Sequence, residues 1–194
     1  MLGLTGGIGM GKSTVLRALR RSGLAVWDAD RAVHRLYARG GAAVAAVAAL
    51  VPEAVRDGAV DRAALGAAVL ADRSLLARLE ALVHPLVRRA EARFIAAARR
   101  ARARAAVLDI PLLYETGGER RVDAVIVVSA PRAVQLRRVL ARPGMTQERL
   151  AAILARQMPD REKRRRADLV VPTGLSRGFA LARLRRGLPR LMAR

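Results

Sequence analysis

The 194-residue sequence predicts an α/β fold of three layers, a central parallel sheet covered on both faces by helices. Three observations carry that expectation. Apolar runs without polar alternation recur at residues 1–4, 24–27, 107–110, 122–128 and 169–171, which is the pattern of strands buried on both faces. Segments with helical spacing lie between them, as parallel connections require. Hydrophobic residues make up 53% of the chain, enough to fill a core for one or two domains.

Residues 1–4 form the first strand, followed by a glycine-rich turn. The helix after it has its apolar face at Val15, Leu16 and Leu19 and closes at Ser22-Gly23. A second strand, Leu24-Ala25-Val26-Trp27, runs into Asp28-Ala29-Asp30, and Ala32, Val33, Leu36 and Tyr37 resume helical spacing. The acidic pair therefore ends a strand, the place where open α/β sheets bind ligands. From Gly40 to Arg104 no strand signal is visible. Ala-rich helical stretches are interrupted near Pro52, at Asp57-Gly58 and at His84-Pro85, so a helical insertion is expected. Val107 to Ile110, Val122 to Val128 and Leu169 to Val171 supply the remaining strands. Arg137, Arg138, Arg142 and Arg156 surround a Pro143-Gly144 break, as in a mobile arginine-bearing lid. The expected division is a core of residues 1–39, 105–136 and 167–194, an insertion of residues 40–104 and a lid of residues 137–166.

The net charge is +21, which points toward polyanionic partners. It is a diffuse signal. Of 37 basic residues only Lys12 and Lys163 are lysine, so much of the excess is an arginine bias spread over a solvated surface. A nucleic-acid binder interleaves basic residues with aromatics, and only Trp27, Tyr37, Phe94, Tyr114 and Phe179 are available. The chain has no cysteine, which excludes disulfides, thiolate metal sites and thiol catalysis. Its longest charge-free stretch, Gly40 to Pro52, is too short to span a bilayer, which takes about 20 apolar residues. No secretory leader pattern opens the sequence. A cytoplasmic monomer with no membrane association and no obligate nucleic acid is expected.

Gly6-Gly7-Ile8-Gly9-Met10-Gly11-Lys12-Ser13 satisfies the G-x-x-x-x-G-K-[ST] pattern at every defined position, between a strand and an amphipathic helix. Glycine permits backbone conformations and close approaches that a Cβ forbids, so successive N–H groups can form an anion nest at a helix N-terminus. The expected phosphate contacts are Gly7, Ile8, Gly9, Met10, Gly11, Lys12, Ser13 and Thr14. Lys12 reaches the β and γ phosphates, and the Ser13 hydroxyl ligates Mg²⁺. A dinucleotide fingerprint fits worse, because Lys12 stands where its last glycine is needed. A triphosphate site is expected, shared at this point by kinases, GTPases, ATPases and switches.

Other polar groups at the strand ends narrow the chemistry. Asp28 or Asp30 can accept a proton from an attacking hydroxyl, or Asp30 can simply cap the following helix. Asp109 can hold Mg²⁺ directly or through water, or be a turn residue. The lid arginines can neutralise charge on a transferring phosphoryl group. His84, read from spacing alone, is a buried structural histidine at a helix break.

The combined pattern resembles the dephospho-coenzyme A kinase family over most of the chain. The residues that carry it are Gly3 through Ser13, Asp28-Ala29-Asp30, His84-Pro85, Asp109-Ile110-Pro111-Leu112-Leu113-Tyr114-Glu115, Gln135 to Arg142, and Arg156-Gln157-Met158-Pro159 through Ala167-Asp168. The resemblance implies a P-loop fold and transfer of the γ-phosphoryl of ATP to the ribose 3′-hydroxyl of dephospho-CoA. It also implies that Asp30 serves the acceptor hydroxyl, that Arg138 and Arg142 belong to the lid, four residues apart on one helix face, and that Asp28, His84, Pro111 and Leu112 lie on the substrate side. Met10 stands where the family more often has Ser. Thr173, in Val171-Pro172-Thr173-Gly174, stands where it often has an Asn near the adenine. The competing readings are another P-loop kinase acting on a nucleoside monophosphate or small alcohol, and a nucleotide-dependent RNA-binding protein.

Overall fold

The structure is a computed structural model and describes residues 1–193. In chain order, β1 (Leu2–Thr5) leads into α1 (Lys12–Arg21), and β2 (Ala25–Asp28) into α2 (Ala29–Tyr37). Then come α3 (Val44–Leu50), β3 (Val55–Arg56), β4 (Ala59–Val60), α4 (Arg62–Ala71) and α5 (Arg73–Arg100). The rest of the chain forms β5 (Ala106–Asp109), β6 (Ala124–Ser129), α6 (Arg132–Leu140), α7 (Gln147–Ala155), α8 (Asp160–Arg166), β7 (Leu169–Pro172) and α9 (Arg177–Met192). These elements fall into two units, Met1–Trp27 with Ala98–Arg194, and Asp28–Ala97. Helix α2 thus groups with the second unit and not with residues 1–39.

The first unit is built on a five-stranded sheet of order β2-β5-β1-β6-β7. β1 runs parallel to both its neighbours, with Leu4 opposite Asp109 of β5 and Ile126 of β6, and β6 runs parallel to β7. Every residue of β1 and β6 is buried, which is why both read as unbroken apolar runs. The pleat sorts their side chains between two clusters. Leu2, Leu4, Ile126 and Val128 pack with Val15 and Leu19 of α1 and Leu184 of α9, while Val125 and Val127 point the other way onto Leu113 and Tyr114. With a helix layer on the α1 and α9 side and α8 against β6, the expected three-layer α/β architecture is observed.

The second unit closes its own apolar core around Val47, Val51, Val60, Leu65, Leu75, Leu79 and Val83. Two expectations fail here. Residues 40–104 are not purely helical, because β3 and β4 pair antiparallel across Asp57-Gly58. Both turn residues have positive φ, 51° and 74°, the conformation that Asp-Gly adopts in a two-residue hairpin loop. The strands have only two residues each, too few for any periodicity to show. Nor does His84-Pro85 break the helix, since α5 continues through Pro85. An internal proline costs about 3 kcal/mol. Burial of Leu75, Leu79 and Val83 along one face, at roughly 1.5–3 kcal/mol each, offsets that cost. Pro85 and Ala81, whose carbonyl loses its helical donor, are both exposed, so water can satisfy that oxygen.

Candidate active site

The turn after β1 is shaped by two left-handed glycines, Gly9 at φ 75° and Gly11 at φ 86°. A Cβ on Gly9 would lie 2.5 Å from Val139 Cγ2, so only glycine fits. Gly11 is the N-cap of α1 and supplies no side-chain cap, which leaves the Lys12 and Ser13 N–H groups at the start of the helix to an external acceptor. Within the turn, Met10 N–H donates to Gly7 O and Thr14 N–H to Gly11 O, so these two amides shape the loop. Ser13 is exposed at the start of α1, and Thr14 is half-buried.

Residues more than a hundred positions away brace the loop from behind. The Ile8 N–H donates to Gln157 Oε1 at 3.1 Å, and the Ile8 carbonyl accepts from Gln135 Nε2 at 2.8 Å, so the two peptide groups that flank Ile8 are each held by a glutamine. Arg138 donates to the Thr173 carbonyl at 2.7 Å and to Thr173 Oγ1 at 3.1 Å. Thr173 Oγ1 donates in turn to Met10 O at 2.6 Å, and Met10 Sδ accepts from Ala130 N–H. The spacing of the motif gives no hint of these braces. Gln135 and Gln157 stood out only as members of the family-like segments, with no role attached.

Lys12 Nζ lies 2.5 Å from Asp109 Oδ1, and Asp109 is 4% exposed. The register that sets Leu4 of β1 opposite Asp109 brings the end of β5 beside the phosphate loop. Thr5 Oγ1 donates to Pro111 O at 2.9 Å, which fixes the turn after β5; Leu112 within it is exposed. Tyr114 follows in the buried layer. Burial pushes its phenol up to about 12, with the Asp168 and Glu119 carboxylates adding to the rise and Arg166 opposing it.

The structure therefore brings Lys12, Asp109, the glycine loop and Arg138 together in the first unit. Arg142 does not share a helix face with Arg138, contrary to expectation. α6 ends at Leu140 with Ala141 as its C-cap, and Arg142 lies beyond it, exposed. In the second unit, Asp28 is the N-cap of α2 and accepts from Arg31 N–H at 3.0 Å, so the capping role considered for Asp30 belongs to Asp28. Asp30 stands exposed in the first turn. His84 is exposed on α5 and is not the buried structural histidine that spacing suggested.

A glycine nest at a helix N-terminus, a lysine at its edge and a parallel sheet beneath define a P-loop phosphate-binding protein. The comparisons narrow that class. The model of the dephospho-CoA kinase family matches residues 1–175. A dephospho-CoA kinase of Paramagnetospirillum magneticum is 66% identical, over 84% of this chain and 77% of the relative. One of Mesorhizobium japonicum is 59% identical, over 90% and 87%. A crystal structure from Thermus thermophilus superposes with a TM-score of 0.83 at 39% identity, covering 97% of this chain and 95% of that one. The dephospho-CoA kinase of Campylobacter jejuni shares the fold, with a TM-score of 0.69 at 20% identity and coverage of 98% and 96%. The chain belongs to the dephospho-CoA kinase family. It is a phosphotransferase of the kind that acts on a hydroxyl group.

Proposed function

We propose that the chain transfers the γ-phosphoryl of ATP to the ribose 3′-hydroxyl of dephospho-CoA, and that the residues described above divide the work as follows. The loop amides not taken by Gln157, Gly7 O or Gly11 O hold the β and γ phosphates together with the Lys12 ammonium, while those of Ile8, Met10 and Thr14, expected as contacts, shape the loop instead. Lys12 exchanges its Asp109 partner for phosphate oxygens, one anion for another, so its charge is never left uncompensated. Asp30, exposed and in the first turn of α2, accepts the hydrogen bond and then the proton of the 3′-hydroxyl as its oxygen bonds to the γ-phosphorus. The bond between that phosphorus and the β–γ bridging oxygen breaks, and ADP leaves with the electron pair. Arg142, beyond the end of α6, closes over the transferring group, while Arg138 stays anchored to Thr173 and to the Gly9 carbonyl of the loop. Asp28, His84, Pro111 and Leu112 are assigned to the dephospho-CoA side. Positioning and electrostatics supply most of the rate.

Mg²⁺ fits the oxygen donors available. Ser13 is exposed at the helix start, and Asp109 presents a carboxylate at the neighbouring strand end. Among the described residues no three His, Asp or Glu side chains converge, so these two donors and the substrate phosphates would hold the ion. Bound there, it would neutralise charge on the β and γ oxygens.

The observation that carries this reading is the complete phosphate loop, with Lys12 in place, in a chain of this family. No described helix is long and apolar enough to cross a membrane. The partners proposed, ATP and dephospho-CoA, follow from the family. The test is ADP formation by the purified chain with dephospho-CoA, AMP, CMP or shikimate as acceptor, with the product's phosphate located by ³¹P NMR. ADP release with dephospho-CoA alone, and a new 3′-phosphomonoester, is the expected result. Turnover of AMP or CMP at a comparable rate would overturn it in favour of a nucleoside monophosphate kinase. Salt-sensitive RNA binding that follows the ATP state, with no soluble acceptor, would favour the RNA-binding reading.

A further inference from the structure

The chain keeps lysine at only two positions among its 37 basic residues, and each forms an ion pair with a carboxylate. Lys12 belongs to the phosphate loop. Lys163, on α8, is 1% exposed and lies 2.7 Å from Glu115 Oε1, off the hydrogen-bonding direction. A buried ion pair of this sort contributes little net stability, because desolvation cancels most of the Coulomb gain. What it does supply is a fixed geometry. Glu115 Oε1 also accepts from the Met158 N–H at 2.7 Å, and the Met158 side chain packs against the cluster of Leu113 and Tyr114. The neighbouring residue, Gln157, is the one whose Oε1 takes the Ile8 N–H of the phosphate loop. Lys163, Gln157, Met158, Gly7 and Met10 line a single cavity of about 320 Å³.

We propose that Glu115 and Lys163 are positioning residues for the nucleotide site, acting through residues 157–158. Lys163 holds the Glu115 carboxylate, Glu115 holds the Met158 peptide, and that fixes Gln157 where it can grip Ile8. The turn after β5 is thereby linked to the loop after β1. The inference rests on the reading that the loop binds ATP.

A double-mutant cycle tests it, because two groups that act through the same contact are not additive, whereas independent structural effects are. The variants are Gln157→Leu, the paired Glu115→Gln/Lys163→Met, and all three changes together. The paired change leaves no uncompensated buried charge, so it is the version expected to fold. With saturating dephospho-CoA, Gln157→Leu and the paired variant are each expected to raise the KM for ATP about tenfold, with kcat within about threefold of wild type. The triple variant is expected to be no worse than the worse of the two. A multiplied effect of about a hundredfold in the triple variant, or an unchanged KM for ATP in the paired variant, would overturn the proposal. If the paired variant does not accumulate as folded protein, Glu115→Asp, one methylene shorter and still charged, goes through the same cycle under the same criteria. Failure of the wild-type chain to bind ATP would sink the underlying reading. Normal ATP binding with additive variants would sink only this one.

Discussion

Strand β5 and helix α2 each present a carboxylate to the proposed chemistry, and the two sit in opposite circumstances. Asp109 is 4% exposed and paired with Lys12, inside a unit where the two peptide groups flanking Ile8 are each held by a glutamine. Asp30 is exposed in the first turn of a helix that is already capped by Asp28. The contrast separates two kinds of importance. A buried paired carboxylate cannot be removed, nor can its partner, without leaving an uncompensated charge, so its loss registers in stability and activity together. An exposed carboxylate near a helix N-terminus adds only about 0.3–1 kcal/mol to stability, so any large loss on removing it is chemistry.

Substitutions can break that comparison. Lys12→Ala removes the phosphate ligand and the cation paired with Asp109, so turnover should fall by at least ~10²-fold and stability should fall with it, read by ADP release and urea denaturation. A Lys12→Ala chain with wild-type stability would show that the Asp109 pair does not hold the fold. Asp30→Asn should cut turnover by at least ~10²-fold while the denaturation midpoint stays where it was. Full activity in that variant would falsify the role given to Asp30.

Smaller effects sharpen it. Asp28→Ala removes the cap of α2 and should cost about 1 kcal/mol of stability, measurable in the same urea titration. A loss of that size with turnover intact would leave Asp28 as a cap only. The buried side also has a pH signature. Burial first, then the Asp168 and Glu119 carboxylates, hold the Tyr114 phenol up to about 12, against an ordinary value of 10.0. Below pH 10 the folded and unfolded chains both keep that proton. Between pH 10 and about 12 the unfolded chain releases it and the folded chain does not, so stability should fall as pH rises through that window. Tyr114→Phe should flatten this part of the stability profile, and an unchanged slope would mean that other groups set it.

The phosphate loop was legible because its requirements are local. Gly9 and Gly11 need positive φ, Lys12 and Ser13 follow at a set spacing, and the strand before them is buried on both faces. The parallel strands were legible for a related reason, since a two-sided sheet demands unbroken apolar runs. The hairpin at Val55–Arg56 and Ala59–Val60 was not, although Asp57-Gly58 marked its turn, because two residues carry no period. The continuity of α5 through Pro85 was hidden as well. Whether a proline ends a helix depends on how much apolar surface the rest of that helix buries, and that is a tertiary quantity.

What the sequence determined by itself was therefore the set of strands, the phosphate loop and the family-like order of its polar residues, each resting on backbone preferences and burial periods that span a few residues. The tertiary structure alone decided the partners: Asp109 for Lys12, Gln135 and Gln157 for Ile8, Thr173 for Arg138, and Glu115 for Lys163. The physical reason is that a buried polar group must find its counterpart wherever the sheet order brings one. Between Ile8 and Gln157 that distance is 149 positions along the chain, beyond the reach of any local rule.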